Sequence, residues 1–513
     1  MIDCKTNVRQ HLLSVFSVVL LARICCIAAT SDPPAYRVSV DGRDVPLYSE
    51  TVAFGEGEMK KGDSSFVGPY FFGAFELTNA VEVRVSCSLP LDRVRILPES
   101  AGITHQNVSP DEIAFKADRP FKVSIERDGR RSPLLLFADA PERDAPALDA
   151  AGVRHFGPGV HNAGLITLTS GQTLHLAAGA VVNGCVKATG DNITICGRGL
   201  LTGDSYPRFK GPGRYLLDIE NCRNVTVRDV MLSGSFGWTL VLMECEKALI
   251  DNVKILCSNM INDDAVDICN SREVTVRRSF FRAQDDIIAV KGMGKDRSAS
   301  ATCGIRVEDC VFWTDCANAF RIGYECGTAE MRDIHARNID VIHCSKTYRP
   351  PSHYWSNAVF WLQPSNGMTL SDCLFEDVRI RSDGINMILV QAEPRVCGGA
   401  DGVKYKQAGK LRDCVFRNVS VAGDAPRPIC DVVVKGRSAE EDVEGVTFDG
   451  VTRFGKTLDA AAPQVQIGPF ARNVQFATLP SQPWTKDDKL ATFFAAEDGF
   501  FYHFANLRSR ERK

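Results

Sequence analysis

The stretch VTVRDVML, residues 225–232, decides the fold, because the same pattern returns many times along the chain. Alternating apolar residues are followed by two polar positions, after which the apolar alternation resumes. Alternation with a period of two is typical of a short β-strand, and a polar pair rich in Asp and Asn is typical of a bend. The pattern therefore predicts two short strands that meet at a corner.

Copies of this pattern cover much of the chain. Successive copies begin 23 to 34 residues apart, with no helical periodicity between them. Strand repeats of this length predict a solenoid in which each repeat forms one coil of a parallel β-helix. The unequal spacings predict corner loops of unequal length, which is where such a scaffold builds a groove. The other copies begin at residues 193, 248, 274, 305, 334 and 368.

A different pattern occupies the N-terminal part. Residues 31–145 contain short alternating strands, such as AVEVRVSCS at 80–88, and a hairpin signal at Asp128–Gly129. Short strands with regular turns predict a β-sandwich. The predicted fold is therefore all-β, with the β-sandwich followed by the β-helix over residues 150–480. Residues 481–513 break the repeat, and we expect them to form a capping segment.

The first 30 residues resemble a secretory signal peptide. Lys5 and Arg9 precede an apolar run at residues 12–21, and small residues follow around Ala28. This is the layout of a cleaved signal, and the apolar run is short for a bilayer span. We expect a secreted or periplasmic protein with no integral membrane span.

The overall charge argues against one class of partner. A formal net charge of −3 gives no reason to expect nucleic acid as a partner. We expect a monomer that needs no cofactor.

Cysteine is frequent, with 19 residues in the chain. Several follow an acidic residue in a recurring pattern, as at Cys310, Cys373 and Cys414. A repeated structural position predicts buried free thiols, which pack as small hydrophobic groups. No cysteine pair has the spacing of a zinc site, so we expect no metal.

Two acidic clusters lie about one coil apart, in NMINDDAVDICNS at residues 259–271 and FFRAQDDIIAVKG at 280–292. Equivalent positions on successive coils stack on one face, which predicts that Asp264 lies beside Asp285 and Asp286, within roughly 5 to 7 Å. Mutual repulsion then raises at least one carboxyl pKa. A protonated acid beside an ionised carboxylate is what hydrolysis of a glycosidic bond requires.

The alternative interpretation of these clusters is structural. Asp264 and Asp285 could cap turns, and Asp267 could stack with Asn270. Both clusters precede an apolar strand, which favours the catalytic interpretation.

The sequence resembles the active-site signature of glycoside hydrolase family 28, the polygalacturonases and their relatives. The resemblance rests on NDDAVD at 262–267, QDDIIAVKG at 284–292 and NAFRIGYECG at 318–327. It implies a right-handed, pectin-lyase-like parallel β-helix and an inverting hydrolase. Asp285 would be the general acid, and Asp264 and Asp286 would hold the water.

The same resemblance implies substrate-binding residues. Asn262 matches the family's first motif, and Lys291 follows the second. Asn318 stands where the family has a histidine. The later Arg-x-Lys motif is not matched, and we consider Arg321, Lys346 and Arg349 as candidates for its role.

A second resemblance covers the front of the chain. Residues 124–142 and 153–186 are similar to the dextranase and isopullulanase group, glycoside hydrolase family 49. That family also joins a β-sandwich to a β-helix. The two resemblances imply the same fold and reaction but different substrates, a pectin-type polygalacturonan or an α-glucan such as dextran.

Other candidates have two interpretations each. Trp238 could line a sugar subsite or pack internally, and Glu325 could bind a sugar hydroxyl or pair with Arg321. His343 has no partner at metal spacing, which favours a structural role. A loop bearing Lys346, Arg349, His353, Tyr354 and Trp355 could form a groove wall or be simply solvated.

Two other functions compete with glycoside hydrolysis. One is a polysaccharide lyase that uses the acidic cluster to bind Ca²⁺. The other is a non-catalytic carbohydrate-binding solenoid.

Overall fold

The computed structural model describes residues 35–52, 67–207, 209–259, 262–344, 358–383, 388–397, 404–424 and 432–477, with the side chains of 295–299 excepted. The predicted signal peptide, the predicted capping segment and the loop that carries Lys346, Arg349, His353, Tyr354 and Trp355 lie outside the described residues. Within the described part, no helix is both long enough and apolar enough to cross a membrane.

Two five-stranded sheets form the N-terminal β-sandwich. Alternate side chains of each strand are buried between the sheets, as Val83, Val85 and Cys87 show in one strand. The sheet orders are β2-β1-β5-β8-β7 and β3-β4-β10-β9-β6. The strands are β1 (Tyr36–Val40), β2 (Arg43–Val45), β3 (Tyr48–Val52), β4 (Gly68–Glu76), β5 (Val81–Cys87), β6 (Arg95–Leu97), β7 (Gln106–Ser109), β8 (Glu112–Ala117), β9 (Phe121–Glu126) and β10 (Leu134–Asp139), with a 3₁₀ turn at Glu99–Ala101.

The rest of the described chain forms a β-helix of 29 strands. The strands of successive coils pair in parallel, and the short strand β36 pairs antiparallel with β35. Its strands are β11 (Val153–Phe156), β12 (Gly159–Leu168), β13 (Thr173–Leu176), β14 (Ala180–Asp191), β15 (Thr194–Gly197), β16 (Leu200–Thr202), β17 (Leu217–Arg228), β18 (Met231–Ser233), β19 (Leu240–Met243), β20 (Glu246–Asp251), β21 (Lys254–Leu256), β22 (Val266–Cys269), β23 (Arg272–Arg277), β24 (Phe280–Ala283), β25 (Ile288–Ala299), β26 (Thr302–Thr314), β27 (Phe320–Thr328), β28 (Glu330–Cys344), β29 (Ala358–Gln363), β30 (Thr369–Asp383), β31 (Ile388–Ala392), β32 (Lys410–Asp424), β33 (Val432–Val434), β34 (Val443–Asp449), β35 (Thr452–Arg453), β36 (Lys456–Thr457), β37 (Val465–Ile467), β38 (Ala471–Arg472) and β39 (Gln475–Ala477).

The register of the coils agrees with most of the predicted repeat. Val225 pairs with Ala248, which pairs with Val274 on the next coil. The column then continues through Ile305 and Ile334. The copies that begin at these residues therefore occupy equivalent positions. The fold class predicted from the sequence is confirmed.

The last predicted copy is wrong in register. Ile334 pairs with Cys373, so the equivalent stretch is CLFEDVRI rather than the copy predicted to begin at Met368. Strand β30 is 15 residues long and contains two polar pairs, Ser371–Asp372 and Glu376–Asp377, each flanked by alternating residues, so the pattern matches it in more than one frame. Only the backbone pairing selects the frame.

Asp and Asn at the corners allow the chain to bend. Asp229 and Asn252 have φ values of 71° and 57°, in the left-handed region that Asp and Asn tolerate better than most residues. The Asn252 amide also donates a 2.8 Å hydrogen bond to the Asp229 carboxylate on the preceding coil. Asn338 and Asp309 repeat this bond at 2.5 Å. The polar pair of the repeat therefore makes the corner, as predicted.

The interior of the coil is apolar. Phe375, Phe416, Phe448 and Phe476 stack along the axis, with ring centroids 5.1, 5.3 and 4.9 Å apart. This spacing is close to the distance between neighbouring strands. The stacked rings fix the register of successive coils.

All 15 cysteines that the structure describes are free thiols, and 11 of them are buried. This confirms the prediction of free, mostly buried cysteines. Cys373 and Cys414 share one column, but Cys310 pairs with Ile339 in a different column. The three cysteines therefore do not occupy one repeated position.

The sandwich packs against the solenoid just below the acidic clusters. Phe137 of β10 contacts Phe280 of β24, with ring centroids 5.2 Å apart. The Tyr70 hydroxyl donates a 2.7 Å hydrogen bond to the backbone oxygen of Cys257. Lys254, which is fully buried, forms a 2.6 Å ion pair with Asp139. These contacts anchor the segments that lead into the acidic clusters.

Candidate active site

Backbone pairing aligns four residues that precede strands on consecutive coils. The Thr239 N–H donates to the Asp264 carbonyl at 2.8 Å, and the Ala265 N–H donates to the Asp286 carbonyl at 2.8 Å. The Ile287 N–H donates in turn to the Asn318 carbonyl at 2.9 Å. This register places Trp238, Asp264, Asp286 and Asn318 in one column. Asp264 is thus level with Asp286, and Asp285 lies one position before it.

The three predicted aspartates converge. One carboxylate oxygen from each of Asp264, Asp285 and Asp286 lies within 4.8 Å of the other two. Asp264 and Asp286 are buried, and Asp285 is partly exposed. Asp285 is therefore the most exposed residue of the three.

Asp285 has the environment of a proton-holding acid. Burial raises its pKa well above the ordinary range, and the charges of Asp264, Asp286 and Asp263 raise it further. Its Oδ1 accepts a 3.0 Å hydrogen bond from the Asp286 N–H, and its Oδ2 accepts a 3.3 Å bond from the Asn262 N–H. Two backbone donors thus orient a carboxyl group whose neighbours favour the protonated form.

Asp286 is held by two polar neighbours. The Asn318 side-chain amide donates a 2.5 Å hydrogen bond to Asp286 Oδ1, and the Asn318 N–H donates to the same atom at 3.1 Å. The amide oxygen accepts a 2.8 Å bond from the Ala358 N–H, which fixes its orientation. Burial raises the pKa of Asp286, but the Arg321 charge and the Asn318 bond oppose the rise.

Lys291 balances the charge on the other side of the cluster. Its ammonium lies 2.9 Å from Asp264 and 2.7 Å from Asp267, and 3.6 Å from the ring centroid of Trp238. Burial lowers the pKa of Lys291, but these carboxylates outweigh it and the pKa is raised. Lys291 is therefore charged and contacts protein carboxylates.

Trp238 packs against its neighbours in the way that the internal interpretation predicts. It is partly exposed, and it stacks on Tyr215 with ring centroids 5.3 Å apart. The Lys291 ammonium also lies over the indole ring, 3.6 Å from its centroid, so Trp238 borders the acidic cluster. Its role in a sugar subsite stays a prediction.

Arg321 and Glu325 both lie in β27, on the coil that follows Asp285 and Asp286. The Arg321 guanidinium lies 4.7 Å from the Tyr324 ring and 4.0 Å from the Trp361 ring. Burial raises the pKa of Glu325, and the Lys291 and Arg321 charges oppose the rise. Glu325 makes no ion pair with Arg321 within the described part of the chain, so the second of its two predicted interactions is not found there.

Asp263 is a residue that the sequence interpretation missed. Its carboxylate is fully buried and accepts backbone hydrogen bonds from Ser258 (2.7 Å), Gln284 (2.8 Å) and Asp285 (3.1 Å). Burial raises the pKa of Asp263 to about 7, although these three hydrogen bonds oppose the rise. Asp263 thus joins the segments that carry both acidic clusters. Its position, directly before Asp264, was the available signal.

The fold and the cluster define a parallel β-helix protein with a candidate carboxylate active site. Comparisons with known proteins support the resemblance to glycoside hydrolase family 28. The sequence model described as Glycosyl hydrolases family 28 matches residues 210–305, which include all three aspartates. A polygalacturonase from Juniperus ashei is 21% identical over 256 residues, which are 44% of this chain and 50% of that protein. The chain thus spans about half the length of this curated relative.

One solved structure supports the architecture, and a second superimposes less closely. Dex49A from Penicillium minioluteum superimposes with a TM-score of 0.55 at 13% identity, covering 85% of this chain and 94% of that one. A family 28 exopolygalacturonase from Yersinia enterocolitica has a TM-score of 0.48 at 12% identity, covering 88% and 94%. At these identities the first similarity concerns the fold alone.

Proposed function

We propose that the protein is a glycoside hydrolase that cleaves a polysaccharide or oligosaccharide by general acid/base catalysis. The observation that carries the proposal is the convergence of three carboxylates within 4.8 Å, one of them with a strongly raised pKa. Asp285 would protonate the glycosidic oxygen. Asp264, which contacts Lys291, and Asp286, which contacts Asn318 and lies near Arg321, would hold and activate the water.

The proposed stereochemical course is inversion. The resemblance to family 28 supports this course, with a water molecule held between Asp264 and Asp286. The separation of the carboxylates points the other way, since inverting enzymes generally hold theirs about 6.5 to 9.5 Å apart. NMR of the first product formed decides between them: an anomer opposite to that of the substrate supports inversion, and the same anomer rejects it.

The proposed setting is outside the cytoplasm. It rests on the charged, apolar and small residues of segment 1–30, and on a substrate class found in cell walls and external polymers. The domain limits stay as predicted, with a β-sandwich at 31–145, a catalytic β-helix at 150–480 and a capping segment at 481–513. We propose a polysaccharide partner of the pectin or α-glucan type and a monomeric protein.

The central test is Asp285→Asn. Removal of the general acid should lower turnover by roughly 10² to 10⁴ or more while the fold is kept. Purified protein is screened for reducing ends on polygalacturonate, rhamnogalacturonan, dextran and pullulan, and the variant is then assayed on the best substrate. Asp424→Asn is the control, because this exposed carboxylate lies at the end of β32. Near-normal activity of the Asp285 variant rejects the assignment.

A polysaccharide lyase is a second candidate, because the same three carboxylates could hold a divalent cation. A lyase would yield unsaturated products that absorb ultraviolet light, and a chelator would abolish its activity. We expect reducing ends without that absorbance, and activity that persists in EDTA. Sugar binding with zero turnover in both wild type and Asp285→Asn would instead favour a non-catalytic binding solenoid.

A further inference from the structure

A row of polar side chains continues along the outer face of the sheet beyond the acidic cluster. Arg321 of β27 pairs with Trp361 of β29, which pairs with Gln391 of β31. Their sequence neighbours Phe320, Phe360 and Val390 belong to the solenoid core. The three side chains therefore project from the opposite face, and two strand spacings, roughly 10 Å, separate the first from the last.

These side chains are buried yet incompletely hydrogen-bonded. A buried polar atom without a partner is rare and indicates a group that a ligand or solvent completes. Gln363, two residues after Trp361, belongs to the same set. Exposed fractions are 6% for Arg321, 1% for Trp361, 3% for Gln363 and 2% for Gln391. No hydrogen-bond partner is found, among the described residues, for Arg321 Nε, Trp361 Nε1, Gln363 Oε1 and Gln391 Oε1.

The amide orientations leave acceptors available. The Gln391 Nε2 donates a 2.8 Å hydrogen bond to the Glu393 carboxylate. The Gln363 Nε2 donates to the Cys397 sulfur at 3.0 Å. A carboxylate cannot donate a hydrogen bond, so the Glu393 contact identifies the Gln391 atom that faces it as the amide nitrogen. In the observed orientations, the carbonyl oxygens of Gln363 and Gln391 both lack a donor among the described residues.

Carboxyl groups lie near the positive charges of this row. The charge of Arg321 lowers the pKa of Asp286 and of Glu325, against the rise that burial causes. Arg395 forms a 2.8 Å ion pair with Glu393, and Lys435 lies 3.1 Å from the same carboxylate. An anionic ligand would therefore meet negative charge as well as positive charge in this row.

We propose that Trp361, Gln363 and Gln391 form a sugar subsite that takes an uncharged, hydroxyl-bearing ring. The row offers two carbonyl acceptors beside the N–H donors of Arg321 and Trp361, which lack a partner among the residues that the structure describes. A sugar hydroxyl can both donate and accept and so can use both kinds of group, whereas a uronate carboxylate can use only the donors. Arg321 covers one face of the Trp361 ring, so the indole contributes its N–H rather than a stacking face. This inference rests on the proposed function, since it names the substrate class of the same site.

The test measures binding separately from turnover. Full-length Asp285→Asn protein is titrated calorimetrically with tetragalacturonate, with its carboxyl-reduced form, and with α-1,4- and α-1,6-linked glucotetraose. We expect at least one uncharged tetrasaccharide to bind roughly tenfold or more tightly than tetragalacturonate. Equal or tighter binding of tetragalacturonate, or no binding by any uncharged probe, overturns the proposal.

Single substitutions then locate the subsite. Gln391→Leu and Gln363→Leu should each weaken binding of the preferred uncharged probe by roughly tenfold, the equivalent of one buried hydrogen bond. Gln391→Met is assayed as well, in case the Leu variant does not fold. Gln475→Leu is the control, since this glutamine is exposed on the last described coil. Unchanged affinity in the folded Gln391 and Gln363 variants overturns the assignment.

The two proposals fail in different ways. If the wild-type protein binds uncharged probes through Gln391 but hydrolyses none, the subsite stands and the hydrolase proposal fails. If the protein hydrolyses polygalacturonate with Gln391→Leu unaffected, the hydrolase proposal stands and the subsite inference fails.

Discussion

At the scale of single residues, the three clustered carboxyl groups differ in their partners. Asp264 has the Lys291 ammonium at 2.9 Å, and Asp286 has the Asn318 amide and the Arg321 charge. Within the described chain, no Lys or Arg forms an ion pair with Asp285. Nearby cations favour ionised carboxylates, which supports the proposal that Asp285 is the residue that holds the proton. The proposed division of roles follows from where the cations lie.

Asp263 sets both the position and the acidity of Asp285. Its negative charge is one cause of the raised Asp285 pKa, and its carboxylate accepts the Asp285 N–H. The proposed mechanism requires protonated Asp285, so we expect activity to be present below the pKa of Asp285 in the folded protein and to be lost as pH rises through it. Asp263→Asn should move this alkaline limit to lower pH and lower kcat. A kcat/KM profile against pH measures both, and an unmoved limit contradicts this role.

Spacing alone was enough to predict the convergence of Asp264, Asp285 and Asp286, because one coil separates the two clusters. Trp361 and Gln391 could not be found in this way. Only the strand register brings Trp361 and Gln391 into line with Arg321 in the proposed subsite. Loops of variable length separate them from the acidic motifs in the sequence. Asp263 was missed for a different reason. Alternation places the side chains of Asp263 and Asp264 on opposite sides, but it does not say which of the two carboxylates is exposed.

At the scale of elements, each corner of the coil depends on a residue that accepts a positive φ. Asn252 satisfies this need and also donates to Asp229 on the preceding coil. The corner requirement explains why Asp and Asn recur in the repeat. For the same reason the repeat could be recognised in the sequence. The frame of the copy near Met368 could not, because strand β30 contains two polar pairs that both match the pattern.

Substitutions at Asn252 separate the contribution of its left-handed backbone conformation from that of its side-chain hydrogen bond to Asp229. Asn252→Gly keeps the left-handed conformation and loses only the side-chain hydrogen bond, so we expect a loss of about 1 kcal/mol in unfolding free energy. Asn252→Val also forces a β-branched residue into positive φ, and we expect a further loss of about 1–3 kcal/mol. Urea unfolding followed by tryptophan fluorescence compares the two variants. Equal stability of the Gly and Val variants contradicts the conformational explanation.

At the scale of the whole molecule, the sandwich and the solenoid form one packed unit through buried polar contacts. Arg282 lies between the rings of Tyr70 and Trp313, at 4.2 and 3.9 Å, and pairs with Asp315. Asp315 also accepts a hydrogen bond from Ser258, at the start of the segment that leads to Asp264. Composition and alternation predicted both folds but not this contact. Its residues are far apart in sequence and follow no repeat.

His343 makes the clearest contact between the sandwich and the solenoid. This structural role agrees with the one that the sequence favoured for His343. Its Nε2 lies 2.7 Å from Glu126 of the sandwich, and its Nδ1 lies 2.9 Å from Asp383 of the solenoid. Burial lowers the pKa of His343, but the two carboxylates outweigh it and raise the pKa to about 9. The Arg130 guanidinium, 3.7 Å from Asp383, and the Trp313 ring complete its surroundings.

This arrangement predicts that the two domains separate more easily at alkaline pH. Because the folded pKa of about 9 exceeds the unfolded value of about 6.5, the stabilisation is fully present below pH 6.5. It is lost as pH rises through 9, and its full size is about 3 kcal/mol. His343→Gln should therefore lower the urea midpoint strongly at pH 6 and much less at pH 9.5, with reductant present to protect the thiols. An equal loss at both pH values would show that His343 contributes by packing against Trp313 and not by its charge.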